Sequence, residues 1–224
     1  MPSPPLPPFP SLRPAGPMFA GLMSAVLTAA GLLIAGTARS QPLQYTLDPA
    51  HSWVHFEVLH FNTSTIRGRI GPVSGSVLLD AAAGRGDVRL AVPTATVSTG
   101  LPFFDSRLRQ DDLLASTAHP EAYFVATRFT FDEGRVATLR GEFTWRGVSQ
   151  PLQLTALRYA CRTDGTARTD AGAPAEVCGG DFEGEVLRSE HGATFGLPLV
   201  GNRVRLRVQV EGRRPIAPPQ VKTP

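Results

Sequence analysis

Beyond residue 44 the chain alternates apolar and polar residues with a period of two, broken by glycine-bearing turns. That pattern is the signature of an antiparallel sheet. The alternation is cleanest near the C-terminus, where Val204, Leu206, Val208 and Val210 interleave with Arg203, Arg205, Arg207, Gln209 and Glu211. Earlier, Ser52, Val54, Phe56, Val58 and His60 share one strand face, opposite Trp53, His55, Glu57 and Leu59. Between these two segments the pattern predicts strands over 64–70, 73–79, 87–98, 123–131, 135–145, 148–159 and 181–187, separated by turns such as 83–86, 132–134 and 146–147. The stretch 101–116 departs from it. There Leu101, Phe104, Leu108 and Leu113, with Arg109 and Asp112, predict one helix, stopped before His119-Pro120. No internal repeat stands out.

Eight or nine strands in one domain must manage their edges; closure into a barrel does so completely, a sandwich only in part. A membrane barrel would turn its apolar residues outward to lipid. Here one face of the last strand carries three arginines and a glutamate while the other is aliphatic, so the inside is the apolar side. The expected fold is therefore all-β, an eight-stranded antiparallel barrel with one short helix. Phe56, Phe124, Phe129, Phe143 and Trp145 fall where such a barrel is filled, or lined if it is hollow.

The N-terminus is read separately from the fold. Met18 to Ala38 carries no charge, and Arg13 is the only cation before it. Gly36-Thr37-Ala38 or Ala38-Arg39-Ser40 suits a signal peptidase, so residues 1–40 read as a signal peptide with its hydrophobic core at 18–38. About twenty apolar residues can also span a bilayer, but this run is rich in Ala and Gly and lacks flanking cations. The expectation is export without a stable membrane span after cleavage, and Met18 is an alternative start. The barrel then occupies 41–212, and 213–224, with four prolines, reads as a tail that is extended or lacks fixed structure.

Of 22 basic residues all but Lys222 are arginines, and 19 acids leave a net charge of only +3, which argues against nucleic-acid binding. Both cysteines, Cys161 and Cys178, follow the export segment and enclose a polar, turn-rich loop. In an exported chain such a pair is expected to form a structural disulfide.

Five ordered stretches resemble the YceI-like family of exported polyisoprenoid-binding proteins with a lipocalin-like barrel. They are Tyr45–His60, Thr65–Gly75, Ser106–Leu113 with His119–Phe124, Leu139–Val148 and Arg188–Gly192, covering about 44–212. At the last of them the family usually has an aromatic residue followed by Gly-Met, where this chain has His191 and Gly192-Ala193. The resemblance implies a periplasmic binding or carrier protein that holds a long isoprenoid of prenyl phosphate or quinone type in the barrel, with no other cofactor. The residues expected to meet it are Phe56, Val58, His60, Phe124, Phe129 and Phe143, with Arg109 and Arg188 towards a head group. The alternative is a stress or respiratory accessory protein with a filled barrel that acts through its surface. Strand edges and barrel rims both allow a homodimer.

Catalysis finds little support. Gly71-Pro-Val-Ser74-Gly75 lacks the spacing of a nucleophile elbow, and Asp111-Asp112 are adjacent and diverge if helical. His51 and His55 are four apart, a spacing that converges on a helix but spans about 13 Å on a strand, so no metal site is expected.

Overall fold

The computed structural model of the chain describes residues 41–163 and 166–216. They form β1 (Leu43–Leu47), β2 (Trp53–His60), β3 (Ser64–Ile70), β4 (Ser74–Asp80), β5 (Arg85–Pro93), α1 (Pro102–Leu108), β6 (Glu121–Asp132), β7 (Arg135–Trp145), β8 (Val148–Arg162), β9 (Ala175–Leu187) and β10 (Val200–Pro215). The predicted signal peptide at 1–40 lies outside the described residues.

These ten segments make eight strands. β2 pairs antiparallel with β3 while β1 pairs antiparallel with β4, so β1–β2 and β3–β4 are each one long strand with an interruption. The first interruption is a 3-10 turn at Pro49–His51, where the Asp48 carboxylate accepts from the Ala50 N–H at 3.0 Å and Pro49 presets the backbone. From β4 the sheet runs through β5, β6, β7, β8, β9 and β10, and β10 returns to pair with both β2 and β1. The sheet is closed, an eight-stranded antiparallel barrel with one α-helix, as the alternation implies.

Two glycines make room for aromatic rings. A Cβ at Gly68 would sit 2.4 Å from Cζ of Phe56, its partner in the β2–β3 register, and one at Gly86 would sit 2.7 Å from Cζ of Phe129. The outer face is ionic. Glu57 pairs with Arg67 at 2.9 Å and with Arg205 at 3.7 Å, and Arg205 also meets Glu185 at 3.7 Å. Such exposed pairs contribute little stability each, but they give this wall a charged exterior. Among the described residues no helix is long and apolar enough to cross a membrane.

The structure moves several expected boundaries. The helix over 101–116 is only α1. Pro102 opens it, Asp105 in its first turn accepts from Thr99 N and Oγ1 at 2.6 and 2.7 Å, and it stops at Leu108. Beyond that, Asp112 forms a two-point pair with Arg107 (2.7 Å each), and the chain continues as turns through Ala115 at φ +52°. The strand over 87–98 ends at Pro93 in a 3-10 turn, Thr94–Thr96. The strand expected at 181–187 begins at Ala175, because its first half pairs with the far end of β8. There Cys161 lies opposite Cys178 and the two form a disulfide. Residues 213–215 of the expected tail belong to β10, and 217–224 lie outside the described residues.

Candidate functional site: an apolar lumen under a polar-fastened cap

The inward residues of the barrel do not fill it. A cavity of about 160 Å³ lies within, lined on the strands by Phe56, Val58, Phe124, Phe143, Leu206 and others. An apolar cavity of that order admits a benzene-sized molecule. A second cavity of about 60 Å³ lies towards the disulfide end and is bordered by Phe129, Tyr159, Cys178 and Phe182. Leu90, Phe124, Leu154 and Val208 line both, so only side chains divide the two compartments.

Two chain segments cap the larger cavity. Leu108, Leu113 and Leu114 enter its lining from the α1 segment, Ala193 from the connection before β10 and Val200 from the start of β10. The cap is tied down by two arginines. Arg188, only 4% exposed, donates from Nε and both terminal nitrogens to the carbonyls of Gly201 (2.8 Å), Ala193 (2.7 Å) and Val200 (2.8 Å). Burial pushes its pKa below the ordinary arginine value, though the guanidinium remains charged. Arg146 donates from Nε to the His191 carbonyl (2.9 Å) and from a terminal nitrogen to those of Leu113 (2.9 Å) and Asp111. It thereby joins both halves of the cap to the β7–β8 hairpin. Arg107 adds a third link, its guanidinium 3.9 Å from the centre of the Phe195 ring. The Arg107 pairing also holds the Asp112 carboxyl below its usual range.

The residues singled out from sequence divide accordingly. Phe56, Val58, Phe124, Phe143 and Arg188 line the larger cavity, and Phe129 lines the smaller one. His60 and Arg109 line neither. His60 is the last residue of β2 and packs edge-on against Phe61, 4.5 Å between ring centres, where the chain is already turning. Arg109 follows α1 and donates to the Ser106 hydroxyl at 3.1 Å. Arg146 escapes sequence reasoning because Arg146-Gly147 reads only as hairpin punctuation. Both residues have positive φ, +53° and +73°, as a two-residue hairpin demands. His191 carries a signal in its departure from the family pattern; it is 1% exposed and donates from Nδ1 to the Val148 carbonyl at 3.0 Å. Of the other histidines, the His119 ring lies against Gly147 of the β7–β8 hairpin. His51 lies beside Asp48 and Glu211, but Asp48 also accepts from Arg213 Nε at 3.1 Å, and His55 is exposed opposite Arg69 and Arg207.

Closure of the sheet, an apolar lumen and a cap at one end define a lipocalin-like barrel. The chain belongs to the YceI-like family: the model of the YceI-like domain matches residues 45–212. It is 27% identical over 190 residues to a UPF0312 protein of Pectobacterium carotovorum, covering 84% of this chain and 95% of that one. It is also 27% identical over 188 residues to Protein YceI of Shigella flexneri, covering 83% and 94%. Among solved structures the fold is shared with Burkholderia cenocepacia BcnA, at TM-score 0.57 and 17% identity, covering 74% of this chain and 98% of that one. It is shared too with a polyisoprenoid binding domain from Saccharophagus degradans implicated in plant cell wall breakdown, at TM-score 0.50 and 15% identity, covering 76% and 98%.

Proposed function

We infer that the chain is an exported, periplasmic lipid-binding barrel. It sequesters or carries an isoprenoid of prenyl phosphate or quinone type, and it acts as a binding protein rather than an enzyme. The observation that carries this reading is the lumen: about 160 Å³ whose lining side chains are hydrocarbon apart from Thr94, Arg188 and the Trp145 indole. Thr94 spends its hydroxyl on the His119 carbonyl (2.8 Å), and the Arg188 hydrogen bonds run to the cap backbone. Such a wall offers burial, at roughly 25 cal/mol per Å² of ligand surface removed from water, and a branched hydrocarbon chain is what burial alone can hold. The polyisoprenoid-binding relative of the same fold and the family membership support the ligand class. Chain beyond the first isoprene units is accommodated when the Phe124 ring turns aside and joins the two compartments. Phe56, Val58, Phe124, Phe129 and Phe143 contact the tail, and the head lies at the capped end near Arg188.

The test is thermal. A ligand that binds only the folded barrel raises stability by RT ln(1 + [L]/Kd). Adding geranylgeranyl phosphate or a short-chain ubiquinone to the mature protein raises Tm, and Phe143→Asp, which puts a charge into the wall, abolishes the rise. An equal rise in the variant places the ligand outside the lumen. No rise with either ligand favours the accessory protein that acts through its surface.

A further inference from the structure

The capped end of the barrel is apolar outside as well as inside. The wall of β2, β3, β9 and β10 carries ion pairs on its outer face, but at the cap large apolar side chains stand in water. Phe103 of α1 is 80% exposed, and Phe61, Phe195 and Leu199 are each about half exposed. They follow one another across the cap. Phe103 and Arg107 are four apart on α1 and share a face, and the Arg107 guanidinium lies over the Phe195 ring. Phe195 and Leu199 flank one turn, closed by the bond from the Val200 N–H to the Gly196 carbonyl (2.8 Å). The Phe61 N–H then donates to the Leu199 carbonyl at 2.7 Å.

The same segments line the lumen from within, through Leu108 after Phe103, Val200 beside Leu199 and Val58 before Phe61. A contiguous apolar face of this kind marks a contact surface, and its charges narrow the occupant. Over 59–65, 99–116, 146–147 and 188–202 four arginines stand against three aspartates and one glutamate. Arg107 is matched by Asp112, and Arg146 and Arg188 are spent on backbone carbonyls. The face therefore presents no net charge for a protein partner to complement, and what it offers is burial. A second copy seated there would shut off the capped end of the lumen. A bilayer instead sets that end against the phase in which an isoprenoid dissolves. Rings and a leucine below the headgroups, with an arginine stem reaching up to them, are how a protein surface rests in a membrane interface.

We propose that the capped end is a bilayer-docking face, in which Phe61, Phe103, Phe195 and Leu199 enter the boundary between headgroups and acyl chains, so that a lipid passes between membrane and lumen without crossing water. The inference rests on the proposed isoprenoid-binding lumen and adds the surface through which it is loaded.

The experiment is co-sedimentation of the mature protein with vesicles of phosphatidylcholine, alone and mixed with phosphatidylglycerol, at low and high salt. The protein binds both kinds of vesicle, and salt changes the binding little. Phe103→Ser weakens partitioning roughly 10-fold, as loss of one inserted ring implies. It leaves the rise in Tm with geranylgeranyl phosphate intact, because Phe103 lines neither cavity. Leu78→Ser, at an exposed apolar position towards the other end of the barrel, leaves vesicle binding unchanged. A protein that shows the Tm rise but does not sediment with either vesicle overturns the docking face and leaves the lumen standing. Binding only to the phosphatidylglycerol vesicles, abolished by salt, overturns it as well, since charge and not burial would then hold the protein. So does a dimer in sedimentation velocity that Phe103→Ser dissociates, which assigns the face to a second copy. Vesicle binding without any Tm rise removes the lumen reading and, with it, the loading role of the face. Vesicle affinity and its salt dependence are both read on the unmutated protein, so the test does not depend on either variant.

Discussion

Replacing Arg188 by Met tests the account of the cap in a single residue. The methionine keeps most of the buried stem and removes the charge and three donors. Each lost hydrogen bond runs from a charged group to a backbone carbonyl at 2.7–2.8 Å. Bonds of that kind contribute about 1.5–3 kcal/mol apiece, so the gross loss is roughly 4–9 kcal/mol. Against it, a guanidinium that is 4% exposed has been taken out of water at a cost of several kcal/mol, which the variant no longer bears. The expected net loss is about 2–4 kcal/mol, or a fall of roughly 5–15 °C in Tm for a domain of this size. Urea unfolding with an unchanged m-value gives the free energy, and amide exchange gives the location. Protection should fall first over 193–201, the segment whose carbonyls Arg188 holds, and later in β6 and β7. A loss under about 0.5 kcal/mol with unaltered exchange in 193–201 would refute the fastening role. Arg188→Lys should lie near the Met variant, because one ammonium cannot present a planar fork to three carbonyls.

Three further outcomes follow from other parts of the barrel. Converting Cys161 and Cys178 to Ser together frees a loop of 16 intervening residues, and should cost about 3 kcal/mol in the chain-entropy model, read as an equal drop on reducing the native protein with dithiothreitol. The three tyrosines should all ionise above the ordinary phenol range in an absorbance titration: burial raises Tyr45 and, to about 12, Tyr159, and the hydrogen bond to Glu121 raises Tyr123. For Tyr159 the fold favours the neutral phenol, so its contribution is complete below pH 10 and is lost as pH rises from 10 towards 12, on the order of 2–3 kcal/mol in all; unfolding free energies flat across that window would contradict it. Arg146→Ala should loosen both halves of the cap together, seen as faster exchange at 111–116 and 188–193; a change confined to the hairpin turn would show that Arg146 bonds only locally.

What could be read from the sequence was what alternation encodes. β10 shows one face of valines and a leucine and another of arginines and glutamate, and any closed sheet with that strand has an apolar inside. Hollowness is not encoded that way, since Phe56, Phe124 and Phe143 look the same whether they meet across the barrel or stand back around a cavity. The end of α1 was also hidden. Leu108, Leu113 and Leu114 have a roughly helical spacing, yet the chain brings all three to the lumen with one short helix followed by turns, because the Arg107–Asp112 pair and the carbonyls held by Arg146 fix another path. Those carbonyls lie 33 and 35 residues from Arg146 in the chain, and no local pattern announces such a bond. The disulfide was legible for the opposite reason: two cysteines leave only one pairing.

The central claim is that the barrel holds an isoprenoid, and its most direct test needs no variant. The protein is purified natively, extracted with organic solvent, and the extract is analysed by mass spectrometry. The account predicts an isoprenoid in stoichiometric amount, a lower Tm after extraction, and recovery of that Tm when the same lipid is returned. An empty extract, with no gain in Tm on adding prenols, prenyl phosphates or quinones, would contradict it.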